Sequence, residues 1–299
     1  MTTRPWQWTE PTWRAHVAKI RAGRSLAPSA WPGDASVAVA ISFDSDHETV
    51  PLWDADPSAG HLSQGEYGSR RGADRVLRLL REHDITATFF VPAVSALLHP
   101  DEIESYLADG HELALHGWIH ERNRLLDEAS ERDLTRRAAE VLERIGGRRP
   151  VGMRTPAWDF SDATLRIEQE LGLLYDSSLM ADDEPYEILC DGQSTGIVEI
   201  PVEWIRDDAP YLVNERYAAI RPHTPPRAVT AMWRDEFDMA RSERGLFQLT
   251  MHPHIIGHRS RILALAELLA YIAGHSGVWF ATHEQIARHC GAPLTSPDR

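Results

Sequence analysis

Cysteine is scarce in this sequence, and neither a long apolar run nor an apolar leader is present. The 299 residues include two cysteines, Cys190 and Cys290, which are too few for a disulfide framework and are typical of a reducing compartment. No run of about 18 apolar residues predicts a membrane-spanning helix. No apolar segment follows the first residues, so the sequence predicts no secretory signal, and we expect a cytoplasmic protein.

Positively charged residues are also fewer than negatively charged ones. The chain has 31 lysines and arginines against 45 acidic residues, which gives a formal net charge of -14. Nucleic acids and anionic membrane surfaces are therefore not expected partners. Hydrophobic residues make up 42% of the chain and charged residues 25%, as in ordinary globular proteins. We expect a globular protein whose partner is a small-molecule substrate.

Short apolar runs alternate with longer segments of helical period. The runs predicted as strands are residues 37–43, 85–91, 112–116, 151–154, 173–177, 197–202, 246–252 and 278–281. The main predicted helices are residues 71–83, 130–145, 161–171, 226–241 and 259–273. Seven or eight such units predict an α/β fold with a parallel sheet, either closed into a barrel or wound open. We interpret residues 1–299 as one catalytic domain.

Polar residues stand at the C-terminal ends of these predicted strands, where a barrel would carry its chemistry. They are Asp44, Asp46, His116, Arg154, Asp176, Glu203 and His252. Two long segments, 48–69 and 205–225, are expected to wall the pocket as loops. The N-terminal extension, residues 1–30, is expected to pack across the barrel or at a subunit contact of a homo-oligomer, a dimer or tetramer.

His116 and His120 have the spacing of two ligands of one metal ion if their segment is helical or tightly turned. Spacing alone is weak evidence, because chance gives about 0.75 such pairs in a chain of this histidine content, and His254 and His258 form a second one. Asp44 and Asp46 follow a run that reads as a buried strand. Two carboxylates there are costly to desolvate unless they bind a cation or a basic partner.

Four segments together resemble the polysaccharide deacetylase family with its NodB homology domain. That family has the motifs T-F-D-D-G, H-[ST]-x-x-H, R-x-P-x-G and L-x-x-H-P in this order. Residues 42–46, 116–120, 154–158 and 249–253 follow the same order. The resemblance implies a deformed (β/α) barrel of about seven strands and one divalent metal ion, usually zinc. It also implies that Asp46, His116 and His120 are the metal ligands, Asp44 the general base, Arg154 its brace and His252 the general acid.

Several positions depart from those motifs. Ser45 separates the two acids, His47 replaces a glycine, Gly117 replaces Ser or Thr, and Trp158 stands where a glycine closes the third motif. With these departures the sequence resembles an intracellular branch of the superfamily, which contains allantoinases and cyclic-imide hydrolases. Further pocket or supporting residues are expected to be Glu121, which could orient a histidine ring, and Trp118, Trp158, Trp204, Asp207 and Asp208.

The sequence therefore predicts a metal-dependent hydrolase that cleaves an amide or cyclic imide bond in a small cytosolic substrate. An N-acetyl sugar or peptidoglycan deacetylase is the main alternative. Two histidines and one carboxylate also form the ligand triad of non-haem iron oxygenases. A non-catalytic binding protein on the same barrel is the alternative of another class.

Overall fold

The fold was derived from a computed structural model that describes residues 4–55, 57–213 and 224–291. Its strands are β1 (Ile20–Ser25), β2 (Val37–Asp44), β3 (Thr88–Val91), β4 (Glu112–Leu115), β5 (Gly152–Met153), β6 (Tyr175–Asp176), β7 (Tyr186–Cys190), β8 (Gln193–Glu199), β9 (Leu246–Met251) and β10 (Val278–Phe280). The α-helices are α1 (Glu10–Ala18), α2 (Thr49–Trp53), α3 (Ala59–Tyr67), α4 (Ala73–Glu82), α5 (Ala93–Leu98), α6 (Pro100–Ala108), α7 (Glu128–Gly146), α8 (Thr164–Leu171), α9 (Ala209–Leu212), α10 (Pro226–Glu243), α11 (Pro253–Ile256), α12 (Arg259–Ala273) and α13 (His283–Gly291).

The described part of the chain has eight parallel strands, and seven of them curl into a deformed barrel. Strands β2, β3, β4, β5, β6 and β8 are neighbours in this order, and β9 pairs with the other edge of β2. An isolated parallel bridge between Asp207 and Thr250 links the chain beyond β8 to β9. Strand β10 pairs with the N-terminal half of β2. The α/β fold with a deformed barrel of about seven strands is confirmed.

The central strand β2 shows how the sequence positions the site. All eight of its residues are buried, as expected for a parallel strand that is covered on both faces. Val37, Val39, Ile41 and Phe43 belong to the large hydrophobic cluster under the helices, whereas Ala38 and Ala40 belong to a second cluster. Since side chains alternate along a strand, Asp44 lies on the same face as these two alanines and not on that of the large apolar residues.

Two strands were absent from the sequence prediction. Strand β7 pairs antiparallel with β8, and β1 pairs antiparallel with β7 at the edge of the sheet. Residues 1–30 were expected to pack across the barrel or at a subunit contact, and within this segment Ile20–Ser25 extends the edge of the sheet. Strand β1 carries two arginines and a glycine, so its composition lacks the apolar pattern on which strands are recognised.

The two segments that were expected as long loops differ from that prediction. Segment 48–69 is largely helical, because it forms α2 and α3, and the chain then continues through a π-helical turn at Gly68–Gly72. Segment 205–225 contains α9, while residues 214–223 lie outside the described residues. In the described part of the chain, no helix is both long enough and apolar enough to span a lipid bilayer.

Candidate active site

Asp46, His116 and His120 converge beyond the C-terminal ends of β2 and β4. The Nε2 atom of His116 lies 3.4 Å from Asp46 Oδ1, and Nε2 of His120 lies 3.5 Å from Asp46 Oδ2. One potential ligand atom from each residue falls within 4.8 Å of the others. Asp46 and His116 are almost completely buried. The structure therefore brings the three predicted ligands together.

A tight turn, and not a helix, presents the two histidines. Gly117 and His120 both have positive φ angles, of 72° and 65°. A Cβ atom at Gly117 would lie 2.9 Å from Pro156 and 3.0 Å from the Glu121 carboxylate, which explains why glycine replaces Ser or Thr here. The Glu121 carboxylate accepts hydrogen bonds from the backbone N–H groups of Trp118 and Ile119 at 2.8 and 2.7 Å.

The Glu121 carboxylate therefore fixes the backbone of the turn that presents the histidines, and its expected role in orienting a histidine ring stays a prediction. The ring of His116 is oriented by Arg154, whose backbone carbonyl accepts a hydrogen bond from Nδ1–H over 2.7 Å. This bond leaves the lone pair of His116 Nε2 directed at Asp46. A second hydrogen bond of this kind is typical of histidines that bind metals.

The donor set fits a divalent metal ion. Asp46 Oδ1 is buried and has no hydrogen-bond partner among the described residues, so a cation would satisfy an otherwise costly group. Burial by itself would raise the pKa of Asp46, but the neighbouring rings of His120, His116 and His252 lower that pKa well below its usual range. Two imidazole nitrogens and one ionised carboxylate are ligands that zinc and related ions accept.

Asp44 lies beside this cluster and is held by Arg154. The Arg154 Nη1 atom donates to Asp44 Oδ1 over 2.7 Å, and both side chains are buried. The other carboxylate oxygen, Oδ2, is 3.7 Å from Nε2 of His116. Asp44 therefore has one oxygen fixed by a cation and the second directed at the potential metal ligands.

His252 is oriented by Asp208. Its Nδ1–H donates to Asp208 Oδ1 over 2.7 Å, and its backbone N–H donates to Oδ2 of the same carboxylate over 3.2 Å. The free Nε2 atom is 3.5 Å from Asp46 Oδ2. Burial would lower the pKa of His252, but Asp208, Asp207 and Asp46 raise that pKa well above its usual range. The ring is thus held in a state that can carry a proton.

Asp207 contributes to the same cluster in a different way. Its Oδ1 atom is 3.7 Å from His252 Nδ1 and accepts a hydrogen bond from the backbone N–H of Ala209 over 2.8 Å. Burial raises the pKa of Asp207 to about 7, even though His252 acts in the opposite direction. The segment predicted with Asp207 and Asp208 therefore belongs to the site, with Asp208 as the residue that contacts the ring directly.

The three predicted tryptophans divide into two groups. The rings of Trp158 and Trp204 are in contact, with their centroids 4.0 Å apart and their planes tilted by 35°, and Trp204 is 44% exposed. Trp158, which stands where the family motif has glycine, has a left-handed backbone with a φ of 53°. Trp118, by contrast, packs on the hydrophobic core with the Arg137 guanidinium 4.1 Å from its ring centroid. These contacts account for the position of Trp118 without a substrate, and its predicted place in a substrate pocket stays a prediction.

The second histidine pair is separate from the metal-ligand cluster. The His258 ring stacks on Tyr67 at a centroid distance of 3.9 Å. The His254 ring meets that of His252 edge-on, and burial lowers the pKa of His254 to about 3. Neither residue belongs to the groups of potential metal ligands.

Sequence reasoning missed the side chains that surround the Arg154 guanidinium, which are Ser42, Ser177 and His283. Ser42 lies within β2, and Ser177 and His283 follow β6 and β10. The signal that could have found the last two is the one used for the other residues, because Ser177 ends the predicted strand 173–177 and His283 closely follows the predicted strand 278–281.

Comparisons with known proteins agree with this arrangement. The sequence profile of the family described as polysaccharide deacetylase matches residues 62–175. A Mycobacterium smegmatis protein assigned as a polysaccharide deacetylase is 37% identical, covers 93% of this chain and 100% of its own, and superposes with a TM-score of 0.83. The allantoinase PuuE is 27% identical, with 90% of this chain and 94% of its own covered and a TM-score of 0.78.

A peptidoglycan deacetylase of Helicobacter pylori is 26% identical over 83% of this chain and 95% of its own length. The likeness to these proteins thus extends over most of each chain, well beyond the four motifs. The order of the motifs, the deformed barrel and the identity to the M. smegmatis protein lead to one conclusion: the chain belongs to the polysaccharide deacetylase family of hydrolases.

Proposed function

We propose that the protein is a metal-dependent hydrolase that cleaves a carbon–nitrogen bond of the amide or cyclic imide type in a small cytosolic molecule. One observation carries this proposal. The cluster of Asp46, His116 and His120 has two further groups beside it. One is the Asp44 carboxylate, which is held by Arg154, and the other is the His252 ring, which is held by Asp208. Hydrolysis of an amide needs a base for water and an acid for the nitrogen, and these two groups fit those roles.

Asp46, His116 and His120 would hold the divalent metal ion, for which zinc is our proposal because it accepts this ligand set. The chemistry such an ion supplies when bound is Lewis acidity, which acidifies water and polarises a carbonyl group. The same three ligands would also suit non-haem iron. Asp44 and His252 favour the hydrolase, since an acid–base pair has a direct use in hydrolysis.

Asp44 is the proposed general base. Arg154 occupies its Oδ1 atom, so Oδ2 is the oxygen free to accept a proton from water. The interaction with the guanidinium fixes the carboxylate in one orientation, which a proton acceptor requires if it is to be within hydrogen-bond reach of the water.

His252 is the proposed general acid. Its Nδ1–H is held by Asp208, so the proton available for transfer is the one on Nε2, which faces the cluster. Amide nitrogen is a poor leaving group until it is protonated, and the imidazolium would deliver that proton. Asp208 stabilises the charged ring, in the way a buried carboxylate supports histidine in other acid–base sites.

The burial of the site supports a small substrate. Asp44 and Asp46 are each 2% exposed, His116 is 1% exposed and His252 is 8% exposed. Small-molecule sites are concave and bury most of the ligand surface. The likeness to the allantoinase PuuE agrees with this substrate class. The free cysteines, Cys190 and Cys290, agree with a reducing compartment.

An N-acetyl sugar is the second candidate substrate, and one observation favours it. The Trp204 ring is 44% exposed and packs against Trp158, and an exposed aromatic ring can bind the apolar face of a sugar as well as a flat imide. The likeness to the peptidoglycan deacetylase of H. pylori points in the same direction. Both candidates present a carbonyl group bonded to nitrogen.

A direct comparison of substrates tests the proposal. Purified protein with one equivalent of zinc is assayed at equal concentration with succinimide, hydantoin and allantoin, and with chitin oligomers and peptidoglycan fragments. We expect turnover of at least one small amide or imide. Turnover of the sugar polymers alone would contradict our proposal and show that the protein is an N-acetyl sugar deacetylase. Oxygen uptake without hydrolysis would favour the iron oxygenase, and no reaction with any compound would favour a binding protein.

We also propose that the chain forms a homo-oligomer. Helix α1 has no buried residue. Its Trp13 and Val17 side chains are 45% and 62% exposed, and Trp6, which precedes the helix, is 75% exposed. Such an apolar surface favours a contact with a second copy. Sedimentation velocity tests this proposal: we expect a dimer or tetramer that Trp13→Glu weakens, and a monomeric parent at micromolar concentration would contradict it.

A further inference from the structure

We propose that His283 is a positioning residue that acts through Arg154 to hold Asp44 in place. This inference deepens the function proposed above and rests on it, because it treats Asp44 as the general base. His283 opens α13, just after β10, and its side chain is completely buried. It is 3.4 Å from the Arg154 guanidinium and has no direct role in proton transfer in our account.

The Arg154 guanidinium uses all of its hydrogen-bond donors. Nε donates to the Ser177 carbonyl over 3.0 Å, and Nη1 donates to Ser42 Oγ and Asp44 Oδ1 over 3.0 and 2.7 Å. Nη2 donates to Ser177 Oγ over 2.9 Å and to His283 Nε2 over 3.4 Å. Arginine has five N–H donors in a rigid fork, and these five contacts account for all of them.

His283 can accept this bond because of its own environment. Burial and the positive charge of Arg154 lower the pKa of His283 well below its usual range, so the ring is neutral. A neutral imidazole has one donor and one acceptor nitrogen. Nδ1 lies 3.1 Å from Thr88 Oγ1 and is the donor, which leaves Nε2 as the acceptor for Arg154.

A second layer of hydrogen bonds holds His283 in turn. Thr88 Oγ1 also accepts from the backbone N–H of His283 over 2.9 Å and donates to Glu112 Oε2 over 2.9 Å. Tyr175 donates its hydroxyl hydrogen to Glu112 Oε1 over 2.7 Å. The His283 ring meets Phe90 at 90°, with centroids 5.1 Å apart. The hydrogen bonds to Thr88 and the contact with the Phe90 ring therefore hold the imidazole in one orientation.

The Phe90 ring also lies against the guanidinium, whose Cζ atom is 4.0 Å from the ring centroid. Stacking restricts movement of Arg154 out of its plane, while the hydrogen bonds to His283 and Ser177 restrict rotation within the plane. Without His283, one N–H of a buried cation would lose its partner, and a buried donor without a partner is costly. The guanidinium would then be free to turn, and Asp44 would turn with it.

Two matched substitutions separate this role from general packing. A glutamine places its terminal amide near the position of Nε2, so His283→Gln keeps an acceptor for Arg154. An asparagine reaches only to the position of Nδ1, so His283→Asn keeps the contact with Thr88 and loses that with Arg154. His289→Gln in the same helix is the control, since His289 Nε2 contacts the Ala30 carbonyl instead.

The first measurement is steady-state kinetics with the best substrate found for the parent. We expect His283→Asn to lower kcat about 10–100-fold with little change in KM or bound metal, since displacement of a catalytic group by about 1 Å can cost 10²-fold. His283→Gln and His289→Gln should retain most of kcat. If His283→Asn retains the parental kcat, or if His283→Gln loses as much, the proposal is wrong. If His283→Asn does not fold, His283→Leu, which also removes the acceptor for Arg154, replaces it in both measurements.

The second measurement needs no substrate. A double-mutant cycle of unfolding free energies combines His283→Asn with Arg154→Lys, which keeps the charge but removes the fork of donors. We expect the two effects to be non-additive, whereas additive effects would show that His283 does not act through Arg154. A parent that is inactive on every compound would refute the proposed function, and this cycle would still decide whether His283 positions Arg154.

Discussion

The carboxylate of Asp208 binds His252 twice, through the ring Nδ1–H at 2.7 Å and the backbone N–H at 3.2 Å. The double contact fixes both the tautomer and the orientation of the ring. It also raises the pKa of His252 well above the usual range, although burial opposes this effect. Asp208 thus determines which proton His252 can donate and the pH range in which it carries one.

We expect Asp208→Asn to reduce turnover by about 10²-fold or more, because a general acid contributes about 10²–10⁴-fold. The pKa of His252 should fall once the carboxylate charge is removed. Activity that needs the protonated ring would then be lost at a lower pH than in the parent. The measurement is the pH profile of kcat for both proteins. An unchanged alkaline limb would show that Asp208 does not support the charge on His252.

We expect His116→Ala and Asp46→Asn each to lose the bound metal and the activity, since each removes one of three ligands that converge within 4.8 Å. Elemental analysis of the purified variants measures the metal. His258→Ala is the matched control and should keep its metal, because that ring stacks on Tyr67 and does not belong to the potential metal ligands. Full metal occupancy in both ligand variants would show that these residues do not bind the metal.

Trp158→Gly tests the aromatic pair. Glycine adopts the φ of 53° without the cost of about 1–2 kcal/mol that an L-residue incurs there, but it removes the ring that packs against Trp204. We expect KM to rise several-fold with a smaller change in kcat, because the ring would bind substrate and not the reacting atoms. Trp118→Phe is the control and should leave KM unchanged. An equal rise in KM for both would contradict our division of the tryptophans.

His111 makes the protein sensitive to acid at a point away from the metal site. Burial lowers the pKa of His111 to about 4, and its Nδ1 accepts a hydrogen bond from the Ala87 backbone over 3.1 Å. Because the unfolded chain has a histidine pKa of about 6.5, the stabilisation is present above that pH and is lost as the pH falls towards 4.

We therefore expect His111→Asn, which can still accept from Ala87 but does not titrate, to make the unfolding free energy less dependent on pH between about 6.5 and 4. Chemical denaturation at several pH values measures this dependence. Equal slopes for the parent and the variant in that range would contradict the assignment.

The sequence predicts the site residues better than the residues that support them. Asp44, Asp46, His116 and His252 stand at or just after buried strands, and parallel strands bring such ends to one edge of the sheet. The alternation of β2 places Asp44 on the face opposite the large apolar residues. These features follow from local periodicity, so the fold class and the polar strand ends are readable from the chain alone, whereas the individual roles of the site residues came from the resemblance to the polysaccharide deacetylase family.

Other features depend on contacts between distant segments. Strand β1 pairs with β7, and the predominantly polar strand β1 gives no strand signal of its own. Glu121 binds backbone groups because the turn between the histidines is left-handed at Gly117. The roles of Trp118 and His283 are set by the side chains packed against them, Arg137 and Arg154. Spacing along the chain carries no information on such partners.

We expect Asp44→Asn to keep the metal and to lose about 10²–10⁴-fold in kcat, because the carboxylate that accepts the proton from water is replaced by an amide. The amide oxygen of the substituted side chain would still accept a hydrogen bond from Arg154, so the fold should be preserved. Turnover and bound metal are measured on the same preparation. A variant within a few-fold of the parent at every pH would show that Asp44 is not the base.

Metal titration tests the central claim most directly. The parent is stripped with a chelator, zinc is added back in steps, and bound metal and hydrolysis of the best amide or imide are measured in each sample. We predict no turnover without metal and a linear rise that ends at one equivalent, with no rise for His116→Ala. Two results would contradict a metal-dependent hydrolase. The first is full hydrolysis by the metal-free protein, and the second is no hydrolysis of any amide, imide or N-acetyl sugar by protein with one bound equivalent of zinc.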